Sequence, residues 1–173
     1  MSGVRLEISI DDGGLGRALE RAIAAGTDLR PALEGSALII EGSVQRRFDT
    51  GQGPGGIPWP PSRRALEQGG KTLVDKGSLR ESITHDIGAN QVDVGVQSPS
   101  PGNADKYAAA HQFGAHIVPR NGEFLVFTGS DGGLVFLRSV DLPARPFVGF
   151  DDQDVADLED LWTSHIEEAF DGN

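Results

Sequence analysis

The sequence predicts an α+β fold: a mostly antiparallel sheet packed with two N-terminal helices and a C-terminal helix, interrupted by a long Gly/Pro loop. Three observations carry this expectation. Apolar residues recur at helical spacing near both ends of the chain and at strand-like spacing in between. Gly 24 and Pro 10 make up about a fifth of the 173 residues, above the usual share of roughly 12%, so an irregular loop is expected. The length fits one domain over 1–173, since about 100–200 residues per domain is usual.

The elements follow in order. Val4, Leu6, Ile8 and Ile10 alternate with Arg5, Glu7 and Ser9, which reads as a half-buried strand ended by Asp11-Asp12-Gly13-Gly14. Asp12 can cap a first helix with the stripe Leu15, Leu19, Ile23, running to Gly26. Thr27 is placed to cap a second, whose buried stripe is Leu29, Leu33, Ala37, Ile40, Val44 and Phe48. Pro31 suits its first turn, where a missing N–H costs nothing.

From Thr50 to Pro61 the prolines remove donors and the glycines add backbone freedom, so an extended loop without helix or strand is expected over 50–61. Ser62 caps a short helix over Arg63 to Gln68, and Ser78 and Glu81 have capping-box spacing for one helical turn. Residues 83–87 and 92–96 read as a hairpin turned at Asn90-Gln91. The Ala-rich stretch from Asp105 to Phe113 reads as a short helix. Phe124 to Phe127 and Leu134 to Leu137 form a second hairpin around Gly129 to Gly133. The last helix, over 151–171, buries Val155, Leu158, Trp162, Ile166 and Ala169.

Charge narrows the function. There are 15 Lys+Arg against 26 Asp+Glu, a net charge of −11. The excess is concentrated in residues 151–173, which carry nine acids and no Lys or Arg. Such a surface repels phosphate backbones, so specific nucleic-acid binding is not expected, and a solvated helix face is the plainest account. The absence of cysteine excludes disulfides, thiolate zinc sites and thiol catalysis. No apolar run reaches about 18 residues and no signal pattern opens the chain, so a soluble, cytoplasm-made protein without a membrane partner is expected.

Catalytic and cofactor motifs fail on context. Gly51-x-Gly53-x-x-Gly56 matches the dinucleotide fingerprint in letters, but a helix precedes it and a proline-rich stretch follows, so no helix N-terminus can face a pyrophosphate. Gly70-Lys71-Thr72 lacks the first glycine of a phosphate loop, where Ala65 stands. His111 and His116 are five apart, about 500° around a helix, and have no third ligand. Asp152-x-Asp154 starts like a calcium loop, but Ala156 stands at the next ligand position. His85-Asp86 with a serine makes a triad only on paper, since no nucleophile elbow supports it. No enzyme activity, cofactor or metal is expected.

Five segments, in order, resemble the phage virion morphogenesis family, the tail-completion proteins of tailed bacteriophages. They are Arg47-Phe48 followed by the Gly-rich stretch and Ile57-Pro58-Trp59; Lys76-Gly77-Ser78-Leu79-Arg80-Glu81-Ser82-Ile83; Val92-Asp93-Val94-Gly95; Tyr107-Ala108-Ala109-Ala110-His111-Gln112-Phe113-Gly114; and Pro143-Ala144-Arg145-Pro146-Phe147-Val148-Gly149. Lys76 stands where the family usually has Thr, and the 50–56 loop is richer in glycine than its counterpart. The acidic end of the chain carries no family motif.

The resemblance implies a structural protein of the virion neck or tail, assembled in the bacterial host, which completes the tail and joins it to the head as a ring subunit. Its implied partners are further copies of itself, the tail tube protein and head–tail connector proteins, with DNA passing through the ring unbound. Trp59, Tyr107, His111 and Arg145 are the expected subunit-interface residues: Trp59 as an aromatic anchor on a flexible strap, Arg145 as a guanidinium held between two prolines and suited to a carboxylate. Tyr107 and His111, four apart, share a helix face. Support of the chain's own fold is the alternative for all four. Phe113-Gly114 and Phe147-x-Gly149 read as places where glycine lets backbone approach an aromatic ring. Acids on the last helix would keep DNA from sticking if they face a ring lumen, and would aid solubility or meet a basic surface on the connector if they face outward. The rival functions are a chaperone-like assembly factor that leaves the particle and, remotely, a small hydrolase using His85 or His111.

Overall fold

The computed structural model describes residues 28–129 and 132–171, with side chains up to Glu168. The strand expected over 4–10, the helix over 15–26, Thr27 and the side chain of Ala169 lie outside the described residues. Eleven regular elements are labelled in chain order: α1 (Arg30–Thr50), α2 (Arg63–Gln68), α3 (Ser78–Glu81), β1 (Ile83–Ile87), β2 (Val92–Val96), α4 (Ala108–Phe113), β3 (Ala115–Ile117), β4 (Leu125–Thr128), β5 (Leu134–Leu137), β6 (Val140–Leu142) and α5 (Asp152–Asp171). Short 3-10 turns occupy Pro54–Gly56 and Pro101–Lys106.

The fold is α+β, but its arrangement corrects the expected one. Among the described residues, helices are interspersed with strands rather than gathered at the two ends, and the strands do not form one sheet. Among the described residues they make three two-stranded antiparallel ribbons, β1–β2, β3–β6 and β4–β5. The strands are three to five residues long and separated by Gly/Pro-rich connections, and among the described residues each pairs along one edge only. Both expected hairpins are present, Ile83 pairing with Val96 and Leu125 with Leu137. The β3–β6 pair, Ala115 with Leu142, is a long-range match that no local turn signals.

Helix α1 is the spine. Its start carries Pro31 in the first turn and Leu29 at the N-cap without a side-chain cap, and Gly51 closes it in the left-handed region (φ 72°). Val44 and Phe48 enter the main core with Trp59, Leu79, Ile83, Ala104, Ala108 and Phe147. On the N-terminal half, Ala32 and Leu33 meet Trp162 of α5 in a second cluster. There Trp162 Nε1 donates to Ser36 Oγ (3.0 Å), which donates to the Ala32 carbonyl (2.7 Å), so the indole N–H is not stranded. A Cβ on Gly35 would lie 2.9 Å from a Leu161 methyl, so glycine sets how closely the two helices pack.

Two local expectations are corrected. Ser78 is the first residue of α3, not its cap; Gly77 holds the N-cap position at φ 85°. The 50–61 loop is not featureless. Gly53 N–H donates to the Ile57 carbonyl (2.8 Å) and Trp59 N–H to that of Gly51 (2.9 Å), which folds the loop back across a Gln52–Pro58 bridge. Ser62 does cap α2, accepting from the Ala65 N–H (3.2 Å).

Candidate functional site

Residues 143–151 form a strap with no regular secondary structure that runs from β6 to α5. Its backbone polar groups, partly buried, need partners that a ladder would otherwise supply. Side chains supply them. Gln112 of α4 accepts from the Phe147 and Val148 amides (3.0 and 3.1 Å) and donates to the Val148 carbonyl (2.7 Å), acting as a substitute strand. Trp59 Nε1 donates to the Pro146 carbonyl (2.8 Å). Arg47 Nη1 donates to the carbonyls of Phe147 and Gly149 (3.2 and 2.7 Å). The Arg145 amide donates to the His111 carbonyl (2.7 Å).

The strap ends in a reciprocal cap. Asp151 Oδ1 accepts from the Asp154 amide, and Asp154 Oδ2 accepts from the Asp151 amide, closing the first turn of α5. Arg47 Nη2 bridges both carboxylates. Burial works to raise the Asp151 pKa, but the Asp154 amide and the Arg47 guanidinium outweigh it and hold the carboxyl below its ordinary range.

At its other end the strap forms one wall of a cleft of about 560 Å³. Tyr107, His111 and Arg145 line it together with Arg64, Asp75 and Lys76. The Tyr107 and His111 rings are 5.8 Å apart and perpendicular, as their spacing of four predicts. His111 Nδ1 is buried without a hydrogen-bond partner, and burial, then the nearby Arg145 charge, lowers the His111 pKa. Burial likewise raises the Tyr107 pKa. Arg145 is 3% exposed; its Nε donates to the Pro60 carbonyl (2.7 Å) and its Nη2 to that of Pro61 (3.4 Å).

The structure thus brings Tyr107, His111 and Arg145 to one cleft and places Trp59 elsewhere. The Trp59 ring is 5% exposed and packs edge-on to Phe48 (5.5 Å), inside its own chain rather than on a free arm. The glycine expectation changes too. A Cβ on Gly114 would strike the Leu142 carbonyl at 2.9 Å, and one on Gly149 would strike Pro54 at 2.8 Å, so these glycines admit backbone and proline rather than an aromatic ring.

The histidines do not assemble a catalytic group. His85 pairs with Glu41 (2.6 Å) and His116 with Asp141 (2.6 Å), while Asp86 is exposed and alternates off the His85 face of β1. Among the described residues no three His, Cys, Asp or Glu side chains are placed to hold a metal ion.

The strap, its three side-chain clamps and the cleft lie within the region matched by the model of the phage virion morphogenesis family, which covers residues 10–167. The chain belongs to that family. It is similar to Mu-like prophage FluMu G protein 2 of Haemophilus influenzae, 33% identical over 145 residues, or 83% of each chain. It is also similar to Tail completion protein S of Escherichia phage P2, 27% identical over 128 residues, 72% of this chain and 75% of that one. No solved structure matches it.

Within the virion morphogenesis family pattern, most of the signature residues are occupied in holding the fold. Leu79 and Ile83 are core, Arg80 bonds Gln45 (2.8 Å) and Asp49 (3.0 Å) of α1, and Gln112 and Arg145 fix the strap and the proline loop. Phe113 differs, being 58% exposed at the end of α4. Arg47, which the sequence offered only as part of the first family segment, is the residue whose role was not expected. Its signal was an arginine inside the apolar stripe of α1, between Val44 and Phe48. A cation there calls for a buried acid, which Asp154 provides.

Proposed function

We propose that this chain completes the tail of a phage particle and joins it to the head as one subunit of a closed ring at the neck. The structural, non-catalytic role in tail completion rests on the family and on the relative named Tail completion protein S. The neck position and the neighbours are read from the family and that relative's name; assembly into a ring is supported by the surface. In the β4–β5 hairpin, Val126 (54%), Leu134 (65%) and Phe136 (55%) stand exposed, and among the described residues these strands pair only with each other. An exposed ribbon carrying that much apolar surface is the observation that favours an assembly subunit over a free-standing protein.

The neighbours in this reading are further copies of the chain, the tail tube protein and connector proteins. The whole of 1–173 acts as one domain. Tyr107, His111 and Arg145 serve the subunit contact directly through the cleft; Trp59 serves it indirectly, by fixing the strap. The acidic α5 has no role in binding DNA, which passes through the ring. No helix among the described residues is long and apolar enough to cross a membrane.

The test is the mass of the purified chain by light scattering, alone and with the tail tube protein, together with its detection in purified particles. A ring in either sample and a signal in particles are expected. A monomer that ignores the tube and is absent from particles would instead favour a transient assembly factor.

A further inference from the structure

The strongest unassigned feature is the charge of the cleft, and its interpretation rests on the ring-subunit reading. Arg145 is a buried cation with Nε and Nη2 committed to two proline carbonyls; among the described residues its Nη1 has no hydrogen bond and no carboxylate pairs with it. Lys76, exposed on the cleft wall, has no ion pair among the described residues. Arg64 is the third cation, and its contact with Asp75, the one acid of the wall, is a loose 3.7 Å. His111 adds no charge near neutral pH, since burial disfavours its protonation. Three cations against one acid is a local reversal in a chain of net charge −11. A desolvated guanidinium facing an open cleft with no counter-ion is a carboxylate site waiting for its partner.

The complementary surface is on the same chain. Trp162 against Ala32 and Leu33, and Leu161 against Gly35, turn one face of α5 onto α1, which leaves Asp152, Glu159, Asp160 and Glu167 exposed on the other side. None of these four is in an ion pair among the described residues, and α5 carries no Lys or Arg. Trp162, bonded to Ser36, pins the helix to its own chain.

We propose that the Arg145–Lys76–Arg64 cleft binds carboxylates from the exposed α5 stripe of a second copy of this chain. The contact joins two different surfaces of identical subunits. It is therefore heterologous, and repeating it gives a closed ring when the rotation closes. A Glu159 or Asp160 carboxylate reaching Arg145 Nη1 would complete its hydrogen bonding, with Lys76 as the outer counter-charge. The acidic character of the stripe then serves subunit recognition, and Arg145 acts both as a clamp on Pro60 and Pro61 and as the anion contact.

Arg145 itself is a poor probe, because removing it also frees the proline loop. The exposed partners test the idea on the full chain by sedimentation velocity, alone and at high salt. Lys76→Glu, and separately the pair Glu159→Lys and Asp160→Lys, should each weaken self-association by about tenfold or more. High salt should weaken the wild type in the same direction, and adding Lys76→Glu to the pair should recover part of the lost association, the rest staying lost because Arg145 still opposes the reversed charges. Association indifferent to either charge reversal, or a combination no tighter than the pair alone, would overturn the contact. So would a wild type that stays monomeric, or salt-sensitive binding of duplex DNA lost in Lys76→Glu without any self-association. Supplying the variants to a phage lacking the chain separates the two readings. If Lys76→Glu still completes tails, this contact fails while the tail-completion function stands; if the wild type itself cannot complete them, the function fails.

Discussion

Arg47 near the end of α1 and Asp154 in the first turn of α5 form a buried ion pair, their side chains 5% and 0% exposed, across 107 residues of sequence. Asp151 shares the same guanidinium nitrogen, and the Asp154 Oδ1 atom lies 3.8 Å from Arg46. One side chain thereby secures the end of the strap, the cap of α5 and the junction of the two long helices. Removing Arg47 leaves a carboxylate buried without its cation. Arg47→Ala should lower unfolding free energy by about 3–5 kcal/mol, measured by urea denaturation. Arg47→Met combined with Asp154→Leu should recover much of that loss, because no charge is left stranded. A double variant as unstable as the single one would show that the pair contributes more than mutual neutralisation.

Gln112 makes three hydrogen bonds to two strap residues, Phe147 and Val148. Gln112→Ala should cost about 2–3 kcal/mol, whereas Gln91→Ala, whose single contact to Asp93 is exposed, should cost almost nothing. Hydrogen exchange gives the sharper reading: the Phe147 and Val148 amides should lose protection in the first variant and keep it in the second.

Trp59 distinguishes core from arm. Trp59→Ala should destabilise the isolated chain by about 3–5 kcal/mol, and Trp59→Phe by less, the remaining loss being the hydrogen bond to Pro146. An anchor used only in a neighbouring subunit would give the opposite pattern, with an unchanged Tm for the monomer and a weakened oligomer.

His111 sets a pH dependence. Its pKa is lower in the folded chain than unfolded, because burial and Arg145 oppose its charge. The folded state therefore binds fewer protons, and stability falls as pH drops below about 6.5, the ordinary histidine value, until the folded-state pKa is passed. Asp151 adds a loss further into acid. Its folded-state pKa is lowered, so its stabilisation holds above the ordinary aspartate value and disappears as pH falls through the folded one. In His111→Gln the first decline in Tm should vanish and the second remain. A wild-type Tm that is flat between neutral pH and pH 5 would refute the assignment.

What the sequence by itself determined was local. The apolar stripe of α1, the Ser62 cap, both hairpins and the amphipathic α5 follow from spacing and turn chemistry within a few residues, where backbone geometry permits few solutions. The family was legible too, from five short segments in order. Only the tertiary structure decided what those segments do. The Trp59 environment depends on Phe48 and Pro146, and the β3–β6 pair joins residues some 25 positions apart. The strap has no hydrogen-bonding pattern of its own; Arg47, Trp59 and Gln112 satisfy it from 35 to 102 residues away. No periodicity encodes such partners, because they are set by which buried polar groups the completed fold leaves without water. The same reason hid the cleft: Tyr107, His111 and Arg145 were each visible as residues, but their meeting beside Arg64 and Lys76 exists only once the strap is pinned.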